Sequence, residues 1–197
     1  MEKELIMSNV VLVCPALSKP YFDINNFIKN YKKVTIINWD ILGHLQFNEF
    51  KTEVLFIENR IQIQTIPHFK NNNNNVIETC KLILSNSNPD NFVTAYGYNF
   101  DFSISPDTID SLIKNFNFYN LKTFTPVNNC FIRLNFIKDD IPYLLEINRQ
   151  DNQSILHINV HYGRPTLISN LSEIISSEFE IVYNNVETLI KEVFKNA

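Results

Sequence analysis

Residues 131–162 read FIRLNFIKDDIPYLLEINRQDNQSILHINVHY. Three runs, 131–137, 141–148 and 155–162, alternate apolar and polar side chains and are separated by Asp139-Asp140 and Asp151-Asn152. Two-residue loops of this chemistry fix the register of a hairpin, because opposing residue numbers must sum to a constant. With both loops tight, Leu134 faces Leu145, which faces Ile158. Ile132, Ile147 and Leu156 align in the same way, as do Phe136, Tyr143 and Val160. Every apolar row lands on one face. Turn chemistry and patterning agree, so the stretch predicts a three-stranded antiparallel meander.

The same register orders the opposite face. Arg133 falls opposite Glu146, and Glu146 opposite His157, in a row across strands spaced about 4.8 Å apart. A carboxylate between a guanidinium and an imidazole would orient the ring and raise its basicity, as a general base requires. The plainer alternative is a cross-strand ion pair on an exposed face, contributing about 0.2–1 kcal/mol. Arg133, Glu146 and His157 are therefore the candidate catalytic set. His157 and His161 lie four apart, which on a strand separates them by about 13 Å, too far to share a metal ion.

Beyond the meander, residues 170–194 carry Leu171, Ile175, Phe179, Val182, Val186, Leu189 and Val193 at spacings of three and four, a single helical seam. Asn170 with Glu173 can form a capping box, and Ser177 with Glu180 offers a second start, so a break near Ser176 is an alternative. Unbroken, the helix approaches 40 Å at about 1.5 Å per residue. A seven-residue meander face covers only roughly 23 Å at about 3.3 Å per residue. The seam is thus expected to project and to be covered by a protein partner or by self-association, which makes these seven residues the candidate binding set.

Working towards the N-terminus, 92–104 reads as an aromatic-rich strand with Gly97 at a bulge or close approach. Ser105-Pro106 then opens a helix. Residues 53–58 and 61–66 form a hairpin, 10–14 and 34–39 are strands, and Ile24, Phe27, Ile28 and Tyr31 share a helical face, as do Val76, Cys80 and Ile83. The stretch between 39 and 53 is expected to be irregular. The sum is an α+β protein: antiparallel sheet, including the C-terminal meander, with helices packed on it and a long final helix. It reads as one domain over 1–197, with two fused halves, 1–118 and 119–197, as the alternative.

Composition narrows the function. Seventeen Lys and Arg against 21 Asp and Glu give a net charge of −4, which disfavours a nucleic-acid partner. Three glycines are too few for a phosphate-cradling loop, and no cofactor motif is present. No apolar run approaches the roughly 18 residues of a membrane span. Cys14, Cys80 and Cys130 are scattered in apolar runs with no C-x-x-C pair, and a reducing cytoplasm is expected. His44 and His68 stand alone in loops, and the tract Asn71 to Asn75 reads as a tolerated loop. Asp40 with Glu49 and Lys51 matches the spacing of metal-dependent nucleases, where two carboxylates hold a divalent ion beside a lysine. Asp40 and Glu49 are the only candidate metal ligands this reading offers.

The strand ENRIQIQ (58–64), a helix, and then TAYGYNFDF (94–102) resemble a RIQI…AxGxNF pattern of uncharacterised bacterial proteins. That family has no assigned activity, so the resemblance implies no catalytic residue. The meander followed by a long helix is also similar to helix-grip folds, which wrap a curved sheet around a helix to enclose an apolar ligand. The hairpins and helices ahead of the meander depart from that topology. The expected function is a non-catalytic binding or assembly subunit of a bacterial cytoplasmic complex, acting through the final helix. A small apolar-ligand binder and a metal-dependent nuclease or other hydrolase are the alternatives.

Overall fold

A computed structural model of the chain describes residues 3–40, 43–66, 72–115, 129–150 and 153–195. The strands of the meander are β8 (Asn129–Lys138), β9 (Ile141–Gln150) and β10 (Gln153–Tyr162). Their pairing is the one the turns dictate: Leu134 opposes Leu145 and Leu145 opposes Ile158, while Phe136 opposes Tyr143 and Tyr143 opposes Val160. Asp139 and Asp140 both take positive φ, 52° and 62°. This is the conformation of a tight turn whose twist matches the flanking strands. Asp151 and Asn152 lie outside the described residues, as do His68 and Asn71.

Six further strands extend the meander. They are β1 (Lys3–Val13), β2 (Thr35–Asn38), β3 (Gly43–Phe47), β4 (Thr52–Ile57), β5 (Arg60–Thr65) and β7 (Ala95–Ile104). The result is one antiparallel sheet of nine strands in the order β2-β3-β4-β5-β1-β7-β10-β9-β8. β6 (Phe92–Val93) pairs separately with β11 (Thr166–Leu167). The helices are α1 (Ile24–Asn30), α2 (Asn73–Ser85), α3 (Pro106–Asn115) and α4 (Ile168–Val193). The fold is α+β, with helices on an antiparallel sheet.

Strand alternation decides which face the helices cover. Leu45, Val54, Ile63, Val10, Tyr98, Ile158 and Leu145 point one way and are wholly buried. On that side Phe27 of α1 meets Phe47, and Thr79 of α2 shares a 2.7 Å hydrogen bond with Thr52. Asp110 of α3 pairs with Arg149, and Phe179 of α4 packs edge-on against Tyr98 and Phe100. All four helices lie on one face. No described helix covers the other.

Several elements differ from the sequence reading. The stretch expected to be irregular contains β3, in which Gly43, Leu45 and Phe47 are buried and His44 and Gln46 half-buried, a short but regular alternation. Strand 92–104 is interrupted at Thr94, whose amide donates to the Val13 carbonyl at 2.7 Å. The final helix starts at Ile168 without a side-chain cap, so the Asn170–Glu173 box does not form. It does not break at Ser176, whose hydroxyl donates to the Ser172 carbonyl at 2.6 Å within the helix.

The connectivity repeats itself over half the chain. A strand (β1), a helix (α1), a three-stranded meander (β3–β5) and a helix (α2) are followed by the same series: β7, α3, β8–β10 and α4. In each series the first strand pairs with the last strand of its own meander, and β1 and β7 pair with each other at the centre. The join between the two series falls between α2 and β7.

Gly97 of β7 confirms a close approach. A Cβ placed there would lie 2.8 Å from the Val160 carbonyl oxygen of the neighbouring β10 backbone. Gly97→Ala should therefore destabilise the fold by about 1–3 kcal/mol through overpacking. Gly163→Ala, where the nearest atom stands 3.6 Å away on an exposed His161 ring, should be close to neutral. Paired denaturant melts check the contrast.

Candidate functional site on the open face of the sheet

The face without helices carries rows of side chains that bond to one another, with Phe131, Ile137 and Ile155 exposed beside them. Arg133, Glu146 and His157 stand in the expected row, with Arg133 opposite Glu146 and Glu146 opposite His157. Arg133 Nε lies 3.5 Å from Glu146 Oε1, and the arginine is more than half exposed. The imidazole, however, is not held by Glu146. Its Nδ1 is 2.5 Å from Oδ1 of Asp101, the residue opposite His157 on β7. The row therefore runs one strand further, as Arg133, Glu146, His157, Asp101, with charges of alternating sign. Asp101 was missed because β7 and β10 are far apart in sequence, and no turn fixes their register.

The hydrogen bond to Asp101 is the main cause that raises the His157 pKa above the ordinary 6.5, with burial opposing it and Glu146 adding a smaller favourable field. Asp101 thus supplies the orienting contact first sought in Glu146.

Beside this row runs a ladder of amides. Asn159 Nδ2 donates to Asn99 Oδ1 at 2.6 Å, and Asn99 Nδ2 donates to Asn9 Oδ1 at 2.6 Å. On the next strand of the same register is Gln64, whose Nε2 donates to Glu53 Oε1 at 2.5 Å. Glu53 Oε2 lies 2.8 Å from His44 Nε2. Asn9, Asn99 and Gln64 are at most 8% exposed although no described helix covers them. Mutual pairing, rather than a covering layer, satisfies these groups. His44, expected alone in a loop, is part of this surface on β3.

The other candidates are not assembled in the expected way. Asp40 precedes β3 and Glu49 follows it, so a whole strand separates them. The Asp40 backbone carbonyl accepts from Lys19, and Glu49 pairs with Lys33 at 3.1 Å. Lys51 occupies the β3–β4 turn with a positive φ of 54°, not a strand beside them. Among the described residues, no group of three or more His, Cys, Asp or Glu could hold a metal ion.

The helical seam is also placed differently. Leu171, Ile175, Phe179, Val182 and Val186 are buried at 2% exposure or less, and the row continues through Ile190 and Phe194. Leu189 and Val193 sit beside it, half-buried. α4 does not overhang a short meander: it follows β7, whose ten residues span roughly 33 Å at about 3.3 Å each. Phe179 reaches Tyr98 and Phe100, Tyr183 reaches Phe100, and Glu187 pairs with Lys3 at the far end of β1. These rings pack between sheet and helix.

A groove of about 540 Å³ opens where α4 meets the β8–β9 turn, with Asp139, Tyr162, Arg164, Glu178 and Ile181 on its wall. Glu178 accepts from Tyr96 Oη at 3.0 Å, Tyr98 Oη at 3.2 Å and Arg164 at 2.8 Å. Burial pushes the Tyr96 phenol up to about 12 and Tyr98 higher still, so both remain neutral donors. The cluster anchors α4 to β7 through three hydrogen bonds to one carboxylate. Cys14 and Cys80 are buried and free; burial pushes Cys14 up to about 11 and Cys80 further, which makes both poor nucleophiles. The Cys130 side chain lies outside what the structure describes.

No protein-family model matches the chain, and no match is found among curated proteins. No described helix is long and apolar enough to cross a membrane.

The Asp101–His157 contact sets a pH signature. A histidine whose folded pKa is raised stabilises the fold fully below its unfolded pKa, and that contribution is lost as pH rises through the folded value. Asp101→Asn should lower the His157 midpoint in an NMR titration and flatten the fall of stability above neutrality. An unchanged midpoint would remove Asp101 as the cause.

Proposed function

We propose that the chain is a non-catalytic binding module that engages a protein partner through the open face of its sheet. One observation carries this reading: a nine-stranded sheet has all its described helices on one side, and its other side carries pre-ordered rows of paired amides, carboxylates and imidazoles beside the exposed Phe131, Ile137 and Ile155. Such a surface loses little side-chain freedom on docking, and its charges are paired in alternating sign. It offers hydrogen bonds to another protein's polar surface and no concentrated positive field for phosphate. This replaces the final-helix seam as the contact surface while keeping the assembly role expected from the sequence, since the seam is buried against the chain's own sheet and α2.

Photo-crosslinking side chains placed in the native host separate the two surfaces. Positions 55 and 144 lie on the open face, and positions 173 and 180 on the solvent side of α4. Discrete protein adducts from 55 and 144, lost when Asn159→Arg is added, are the expected outcome. Adducts only from 173 and 180 would return the contact to the helix.

A further inference from the structure

The two edges of the sheet are built differently. β2 closes one edge with four residues and a register irregularity between Ile36 and Asn38, a short and distorted edge that resists further pairing. β8 forms the other edge with ten residues in unbroken register against β9, and no described strand pairs with its outer side. It carries no proline within the strand. Phe131 is 61% exposed, Leu134 38% and Ile137 74%. A long, regular, apolar edge is a template for another strand.

The sequence of β8 matches itself. Two copies pairing edge to edge and antiparallel are related by a twofold axis normal to the sheet, so opposed residue numbers sum to an even constant. With the axis at Leu134, Leu134 opposes its own copy, Ile132 opposes Phe136, and Phe131 opposes Ile137. Arg133 opposes Asn135, and its charge is already met by Glu146 within its own chain. The neighbouring registers fail. An axis at Arg133 sets two guanidinium groups directly opposite each other, and an axis at Asn135 sets Phe131 against Asp139 and Ile132 against Lys138.

We propose that a second copy of this chain pairs with β8 about a twofold axis at Leu134. The two nine-stranded sheets join into one, with both sets of helices on the same side and both open faces on the other. The inference is independent of what the open face binds.

Light scattering behind size exclusion, over a concentration series, is the test. The wild type should reach twice the chain mass. Leu134→Glu, which sets two carboxylates opposite each other at the axis, should halve the mass while the circular dichroism spectrum is retained. An equimolar mixture of Leu134→Glu and Leu134→Lys should return to the doubled mass, because the axis position then pairs opposite charges. If Leu134→Glu does not fold, Ile137→Lys at the exposed end of the strand decides, and it too should halve the mass. A wild type that stays at single mass at the highest soluble concentration overturns the proposal, with the edge capped from within the same chain. A folded Leu134→Glu or Ile137→Lys variant that keeps the doubled mass overturns it as well.

Discussion

The antiparallel pairing of β1 with β7 holds the two halves of this protein in one sheet. Asn9 opposes Asn99 near its middle, and the amides of the two residues are hydrogen-bonded. From this pair outward each half repeats the same order: first strand, then the meander in reverse. The pairing also lays a continuous floor under α4, from Tyr96 and Tyr98 beside Glu178 to Lys3 beside Glu187. Weakening it would separate the halves and uncover the final helix together.

A sheet layered on one side only must satisfy its other side without a hydrophobic cover. Here that is done by cross-strand pairing of polar groups two and three strands deep. Asn99 both accepts, from Asn159, and donates, to Asn9, and Gln64 accepts from Gln62 while donating to the charged Glu53. Buried amides left unpaired would each cost on the order of 1–3 kcal/mol. The same logic explains why the imidazole of His157 turns to Asp101. The carboxylate on the more central strand is the more buried of the two flanking it, and an opposite charge counts for more where water is excluded.

The asymmetry of the edges follows from the half-repeat. In the first half an additional short strand, β2, stands outside the meander; among the described residues the second half has none, and β8 ends the sheet. Two related units thus present different borders. One is blunted, and the other has the length and regularity on which strand pairing depends.

Much of this was legible in the sequence wherever turns are tight. Asp139-Asp140 set the β8–β9 register, and with it the Arg133–Glu146 pair and the buried row through Leu145, because a two-residue loop leaves no freedom in which residues oppose. The helical period likewise placed Leu171 through Val186 on a buried seam. What covers that seam was only partly legible: the reading gave most of it to the adjacent meander, whereas α2 and the central strand β7 also pack against α4. Pairing between β7 and β10, or between β1 and β7, joins residues separated by dozens of positions, with no turn to fix their register. Asp101 beside His157, Asn9 beside Asn99, and Glu178 beneath two tyrosines all depend on such pairings or on the helix they support. Local chemistry determined the strands, their faces and their tight turns, whereas the order of distant strands, decided by how the whole chain buries one face, determined which polar groups meet.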